Sequence, residues 1–221
     1  MKQDDQRGKK IVIALDGPAA SGKGTLARRL ASHFNLALLD TGILYRAVGW
    51  NVLQDGGDPE NEVDALKAAE KISDTDFSNP ELRTESIGVA ASKVAQIAAV
   101  RSTLLNFQRH FANNPPPDKD GAILDGRDIA TVICPEAPIK IFITADVETR
   151  AKRRFLEEYG ENGTPEQLAE ILKDLKDRDQ RDINRSASPL KKAENAYLID
   201  TTDSDIEAVF EAAREFVSSK M

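Results

Sequence analysis

Lys23 stands at the end of a glycine-rich run, Gly17-Pro18-Ala19-Ala20-Ser21-Gly22-Lys23-Gly24-Thr25. One lysine in such a run, between a strand and a helix, makes a phosphate cradle. Successive backbone N–H groups point inward, the helix start adds partial positive charge, and the lysine reaches the outer phosphates. The glycines are expected because a Cβ would block close approach or forbid the backbone angles. The usual pattern places Ser or Thr directly after the lysine. Here Gly24 intervenes, so the hydroxyl suited to a Mg²⁺ ion is that of Thr25, or the ion is held mostly by water and phosphate. The ligand class is a nucleoside triphosphate.

A second group of charges lies in Asp177-Arg178-Asp179-Gln180-Arg181-Asp182-Ile183-Asn184-Arg185. On a helix, residues 178, 181, 182 and 185 share one face. A charged run of this kind is commonly a solvated, self-pairing surface. A triphosphate site, however, needs several cations, because phosphoryl transfer is mostly positioning and charge neutralisation. Arg46, Arg127, Arg154, Arg178, Arg181 and Arg185 supply them in a chain of net charge −7.

The elements that must position these groups follow from apolar patterning. Short apolar runs at 11–15, 36–39, 122–124, 139–143 and 197–199 alternate with helical patterns. This predicts an α/β fold with a five-stranded parallel sheet and helices on both faces. Four strands end in or directly before an aspartate (Asp16, Asp40, Asp125, Asp200), and Asp146 lies just past the fourth strand. Ligands bind beyond the carboxyl ends of such strands, so these acids are expected to share one cleft with the cradle. Residues 58–101 carry helical segments and no strand, which reads as an insertion between sheet strands. Inward faces are expected at Val63, Leu66 and Ala69; at Leu104, Phe107 and Phe111; and at Ile206, Val209, Phe210, Ala213 and Phe216. Asn35 is expected to cap the first helix at its C-terminus. Thr164-Pro165-Glu166-Gln167 reads as a helix start with a capping box.

The net charge of −7 argues against a general nucleic-acid-binding surface. A lone cysteine, Cys134, excludes an internal disulfide and fits a reducing compartment, packed as a small apolar residue. No apolar run approaches membrane-spanning length. The leading MKQDDQRGKK lacks a signal peptide's apolar segment and is expected to be a frayed polar lead-in. A single cytoplasmic domain over 1–221 is the expectation. No guanine-reading Asn-Lys-x-Asp is present. The residues alone fit a small-molecule kinase acting on one of several acceptors, or a P-loop binding protein without phosphoryl transfer.

GPAASGKGT, LLDTGILYR, DGRDIATV and RDQRDINRSASPL, in this order and spacing, resemble the bacterial cytidylate kinases of the P-loop nucleoside monophosphate kinase group. The resemblance runs through nearly the whole chain from about Lys10. It implies transfer of the ATP γ-phosphoryl to CMP or dCMP with Mg²⁺, by a monomer. It also implies that 58–101 is a monophosphate-binding insert and about 153–164 an arginine-rich lid. Residues 17–25 would hold the ATP phosphates. Lys23, Arg154, Arg178 and Arg185 would be the catalytic cations. Thr41, Arg46 and Arg127 would take the acceptor phosphate, with Arg178 and Asp182 near sugar and phosphate. Ser92, Arg101 and Asp128 match base-reading positions. One departure is that enterobacterial members carry a longer insert with small β-strands, whereas residues 73–92 are short here and show no hairpin signal.

Overall fold

The computed structural model describes residues 11–221; the polar lead-in at 1–10 lies outside the described residues. Strand β1, Ile11–Asp16, runs through the middle of a five-stranded parallel sheet. Helix α1 (Lys23–His33) carries the chain to β2 (Leu36–Asp40). Helices α2 (Thr41–Gln54), α3 (Glu62–Glu70), α4 (Glu85–Val94) and α5 (Ala98–Asn113) then lead to β3 (Gly121–Gly126). A π-helical turn, Ile129–Ile133, joins β3 to β4 (Ile139–Thr144). Helices α6 (Val147–Tyr159) and α7 (Pro165–Asn184), strand β5 (Tyr197–Asp200) and helix α8 (Ile206–Ser218) complete the order.

The strands lie in the order β2-β3-β1-β4-β5. The chain leaves β1 toward β2 on one side and later returns to β4 on the other. The crevice at their carboxyl ends is therefore the place for a ligand. Alternate β1 residues face opposite layers: Ile13 and Leu15 pack against α1 and α8, while Val12 and Ala14 face the α5 side and the 129–133 turn. The five short apolar runs form the five strands, with helices on both faces, as the patterning predicts. Residues 58–101 contain α3, α4, two 3₁₀ turns (Ile72–Asp74 and Pro80–Arg83) and no strand. A separate apolar cluster ties α2, α3, α4 and the start of α5 together.

Helix ends follow local chemistry. Asp40, Asp146 and Asp205 cap α2, α6 and α8. Thr164 and Gln167 form the expected capping box on α7. Phe34 is the C-cap of α1, and Asn35 follows it at φ 50, the left-handed position just beyond the cap.

Three expectations about helix faces need correction. Val63 is 74% exposed, and α3 buries Ala65, Ala68 and Ala69 instead. Phe107 is 44% exposed; α5 turns Arg101, Leu104, Gln108 and Ala112 inward. Ile206 is exposed at the first turn of α8, whose buried residues are Ala213 and Val217. In α5 the misjudged face is polar: a buried arginine and glutamine hold places that an apolar count assigns to phenylalanine.

Candidate active site

The loop after β1 is shaped by sterics. A Cβ on Gly17 would stand 2.0 Å from the Ile143 carbonyl oxygen, so only glycine fits. Gly22 caps α1 at φ 89, a left-handed conformation that favours glycine. Gly24 is different, since a Cβ there would meet only ordinary contacts. Helix α1 has no side-chain cap and no acid in its first turn. Its leading N–H groups are left for an anion.

Lys23 is 5% exposed and donates from Nζ to the Pro18 carbonyl at 2.7 Å, folding back over the loop. Burial first, and the neighbouring Arg127 guanidinium second, lower its pKa to about 7 against the pull of Asp125. Among the described residues nothing supplies this amine with enough negative charge to keep it at its ordinary value. Incoming phosphates would.

A cleft of about 430 Å³ opens beside Lys23, within the usual size for a small-molecule site. Thr41, Arg46, Ser92, Arg101, Arg127, Asp128, Arg154, Arg178, Asp182 and Arg185 all line it, with Ala19 and Ala20 from the loop. Gly17, Pro18, Ser21, Gly22, Gly24 and Thr25 are not among its walls. Thr25 instead accepts from Arg28 at 3.2 Å on the first turn of α1. Arg181 turns to the flank, donating from Nε to Ser92 Oγ at 3.0 Å beside a second cavity of about 90 Å³. Arg153, next to Arg154, does not line the cleft and bonds Thr201.

The strand-end acids do not gather as expected. Asp40 and Asp125 line the cleft. Asp146 and Asp200 are spent on capping and turn bonds to Thr149 and Thr202. Asp16 is buried away from the cleft and accepts two backbone N–H bonds. A carboxylate at a strand tip satisfies nearby orphan N–H groups as readily as it faces a ligand.

The buried charges are interlocked. Arg101 Nη2 donates to Asp128 Oδ2 at 2.5 Å, and its Nη1 to the Ala95 carbonyl at 3.2 Å. Arg127 Nε donates to Asp182 Oδ2 at 3.0 Å. Arg185 lies 3.7 Å from Asp128 and 3.9 Å from Asp182. Burial pushes Asp182 up, but Arg127, Arg178 and Arg185 outweigh it and hold the carboxyl below the usual range. Burial, then Arg127, lowers Arg178 to about 10. Arg101 Nε, Arg178 Nε and Arg185 Nη2 are buried with no hydrogen-bond partner, an excess of donors. Arg46 donates to the Leu82 and Thr84 carbonyls at 2.8 and 2.9 Å, and Arg154 pairs with Glu85 at 2.9 Å. Thr41 donates to the Asp125 carbonyl at 2.8 Å.

Sequence reasoning placed Asp125 in the cleft without naming a role and missed Tyr45 and Glu85, which also line it. The strand-tip pattern pointed at Asp125. Glu85 carries no sequence signal. Asp125 Oδ2 lies 3.7 Å from the position of a Cβ on Gly24, beside Thr25. A hydroxyl and a carboxylate next to a phosphate loop suit a hard, oxygen-seeking cation that keeps several waters. Among the described residues, no three His, Cys, Asp or Glu side chains cluster to cage a metal by themselves. No helix there is long and apolar enough to cross a membrane.

In overall fold the chain is similar to an uncharacterized protein from Eubacterium ventriosum ATCC 27560. The TM-score is 0.55 at 19% identity, covering 96% of this chain and 99% of that one. In sequence it is 50% identical over 209 residues to the cytidylate kinase of Paramagnetospirillum magneticum (strain ATCC 700264 / AMB-1), covering 95% of this chain and 98% of that protein. It is 49% identical over 209 residues to the cytidylate kinase of Rhodopseudomonas palustris (strain BisB18), covering 95% and 96%. The family model described as cytidylate kinase matches residues 13–219. With the cradle, the sheet order and the matched length all in agreement, this chain belongs to the cytidylate kinase family.

Proposed function

We propose that the cleft transfers the γ-phosphoryl group of ATP to CMP or dCMP, giving ADP and CDP or dCDP. One observation carries the reading. A water-sheltered set of arginines, three with unpartnered buried N–H groups, faces a P-loop lysine across a nucleotide-sized cleft. Such donors are arranged for anions, and phosphoryl transfer is catalysed mainly by positioning and charge stabilisation.

In this reading the loop amides of residues 17–25 and Lys23 hold the ATP phosphates. Thr41, Arg46 and Arg127 hold the acceptor phosphate, and Arg178 and Asp182 orient its sugar end. Lys23, Arg154, Arg178 and Arg185 bear the charge that spreads over the moving group. A bound Mg²⁺ would supply neutralisation of phosphate charge. The Thr25 hydroxyl and the Asp125 carboxylate are the protein oxygens we assign to it, directly or through water. No side chain needs to act as a strong base, since the acceptor is already an ionised phosphate.

The base is read by chemistry that separates cytosine from uracil. Cytosine offers an amino donor, which a carboxylate such as Asp128 accepts. Arg101 donates to the ring acceptors. Ser92 takes a bond from Arg181 on its oxygen, which leaves its own proton to donate into the cleft. Uracil would turn a carbonyl toward Asp128 and leave buried partners unpaired, a mismatch that can cost ~10⁴-fold.

We assign residues 58–101 as the acceptor-binding insert and about 153–164 as the lid. The Arg154–Glu85 ion pair spans the two. We take the acting unit to be a monomer. A cytoplasmic setting suits the ATP supply and the free Cys134 thiol. The test is ADP release from Mg·ATP with CMP, dCMP, UMP and AMP supplied separately. Strong turnover with CMP and dCMP, weak with UMP and negligible with AMP is the expected result. Comparable turnover with UMP would break the Asp128 assignment. No acceptor-dependent release would overturn the function.

A further inference from the structure

The base-reading Asp128 stands at the entrance of the π-helical turn Ile129–Ile133. That turn is gripped at both ends by opposite charges. Asp16, at the tip of β1 and 1% exposed, accepts from Ile129 N at 2.7 Å on one carboxylate oxygen and from Ala130 N at 2.8 Å on the other. Arg109, on α5, donates from Nε to the Ile133 carbonyl at 3.0 Å and from Nη2 to the Val132 carbonyl at 2.9 Å. The carboxylate meets the turn's free N–H groups and the guanidinium its free carbonyls, the pairing a short helical dipole favours.

The turn in turn closes on Asp128. Val132 N and Ile133 N both donate to the Asp128 carbonyl, at 2.9 and 3.1 Å. The Asp128 backbone is thus fixed from the far side of the cleft, while its side chain meets Arg101 inside it. Asp16 immediately precedes Gly17, the first residue of the phosphate loop. One buried carboxylate therefore ties the mount of the base-reading residue to the start of the triphosphate cradle. Burial pushes the Asp16 carboxyl up to about 7 against the pull of the Ala130 and Ile129 N–H bonds, so keeping it ionised in the core is costly. A neutral residue would serve if the position needed only to fill space.

We propose that Asp16 and Arg109 are positioning residues for substrate choice: together they clamp the 129–133 turn and so hold Asp128 at the angle that selects cytosine over uracil. The proposal rests on the assignment of Asp128 to the base. Neither residue lines the cleft, and neither touches substrate. Asp16→Asn places an NH₂ group against one of the two backbone N–H groups and breaks that bond. Arg109→Gln removes the grip on the two carbonyls from an exposed position, where folding is not at risk.

The experiment measures KM and kcat for CMP, UMP and ATP in the wild type, Asp16→Asn, Arg109→Gln and Asp128→Ala. In Asp16→Asn, losing one buried bond should raise KM for CMP roughly tenfold and cut the CMP/UMP ratio of kcat/KM by a similar factor. KM for ATP should stay within about twofold of the wild type. Arg109→Gln should move the same ratio in the same direction, roughly threefold, because that end of the turn is partly solvated. A purely structural role would lower melting temperature or active fraction and leave the CMP/UMP ratio alone. That result in Arg109→Gln and in soluble Asp16→Asn would overturn the clamp. If Asp16→Asn gives no soluble protein, Arg109→Gln decides alone. A ratio that collapses in Asp128→Ala but holds in the clamp variants sinks the clamp and spares the base assignment. An unchanged ratio in Asp128→Ala overturns both.

Discussion

Lys23 should take up a proton when ATP binds. In the free protein its pKa is lowered to about 7, by burial first and by the Arg127 cation second. Phosphates filling the loop remove the cause, because an adjacent anion favours the charged amine and returns the pKa toward or above its ordinary ~10.4. At pH 8, one unit above the free value, about a tenth of free Lys23 is protonated, so binding takes up about 0.9 proton per site. At pH 7 the uptake falls to about 0.5. A phosphate group with a second pKa near ~6 is already ionised at pH 8 and adds little. The assay is calorimetric titration with Mg²⁺ and a non-hydrolysable ATP analogue in two buffers of different ionisation enthalpy. Lys23→Met serves as the control that removes the amine and also cuts kcat by orders of magnitude. Equal proton uptake by the two proteins at pH 8 would refute the assignment of the depressed amine to the cradle. Stability carries the same signature. Between about pH 7 and ~10.4 the unfolded chain binds a proton at Lys23 that the folded chain does not, so this residue makes the free protein more stable as pH rises through that window. In Lys23→Met that contribution to the slope should vanish.

Asp128→Ala should injure the fold as well as the activity. Arg101, 8% exposed, loses its 2.5 Å partner, and breaking one side of a buried ion pair costs about 3–5 kcal/mol. Thermal melting should fall by roughly 10 °C; an unchanged melt would mean that Arg101 finds other compensation. Thr164→Ala removes one half of the α7 capping box, in which Thr164 Oγ1 accepts from Gln167 N at 3.4 Å and Gln167 Oε1 accepts from Thr164 N at 2.8 Å. A loss of about 1 kcal/mol, or a fall of roughly 2–4 °C in melting temperature, is expected.

The strands, their order of occurrence and the helix starts were legible because each depends on neighbouring residues. The apolar run of β1 and the Thr164 capping box specify themselves locally. What the residues alone could not place were the long-range partners. Asp16, Asp125, Asp146 and Asp200 look alike at strand tips, yet one lines the cleft, one holds a distant turn and two tie off their own loops. Only the three-dimensional route of the backbone decides which N–H groups reach them.

The misread faces of the helices carry a more useful lesson. In α5 the inward stripe is Arg101, Leu104, Gln108 and Ala112; in α7 the cleft-facing stripe is Leu175, Arg178 and Asp182, continued by Arg185 at the C-cap. Both keep helical spacing and both mix apolar with charged residues. Choosing the most apolar stripe selects Phe107 and overlooks Arg101, because it assumes that the inside is dry. An active site is the part of the inside that is not. A helix whose charged residues repeat in phase with its leucines, instead of opposite them, has its core face turned partly toward a ligand. The free energy of burying those charges is then recovered only when the anion arrives. That deficit is visible here in the lowered pKa values of Lys23 and Arg178 and in the unpartnered nitrogens of Arg101, Arg178 and Arg185.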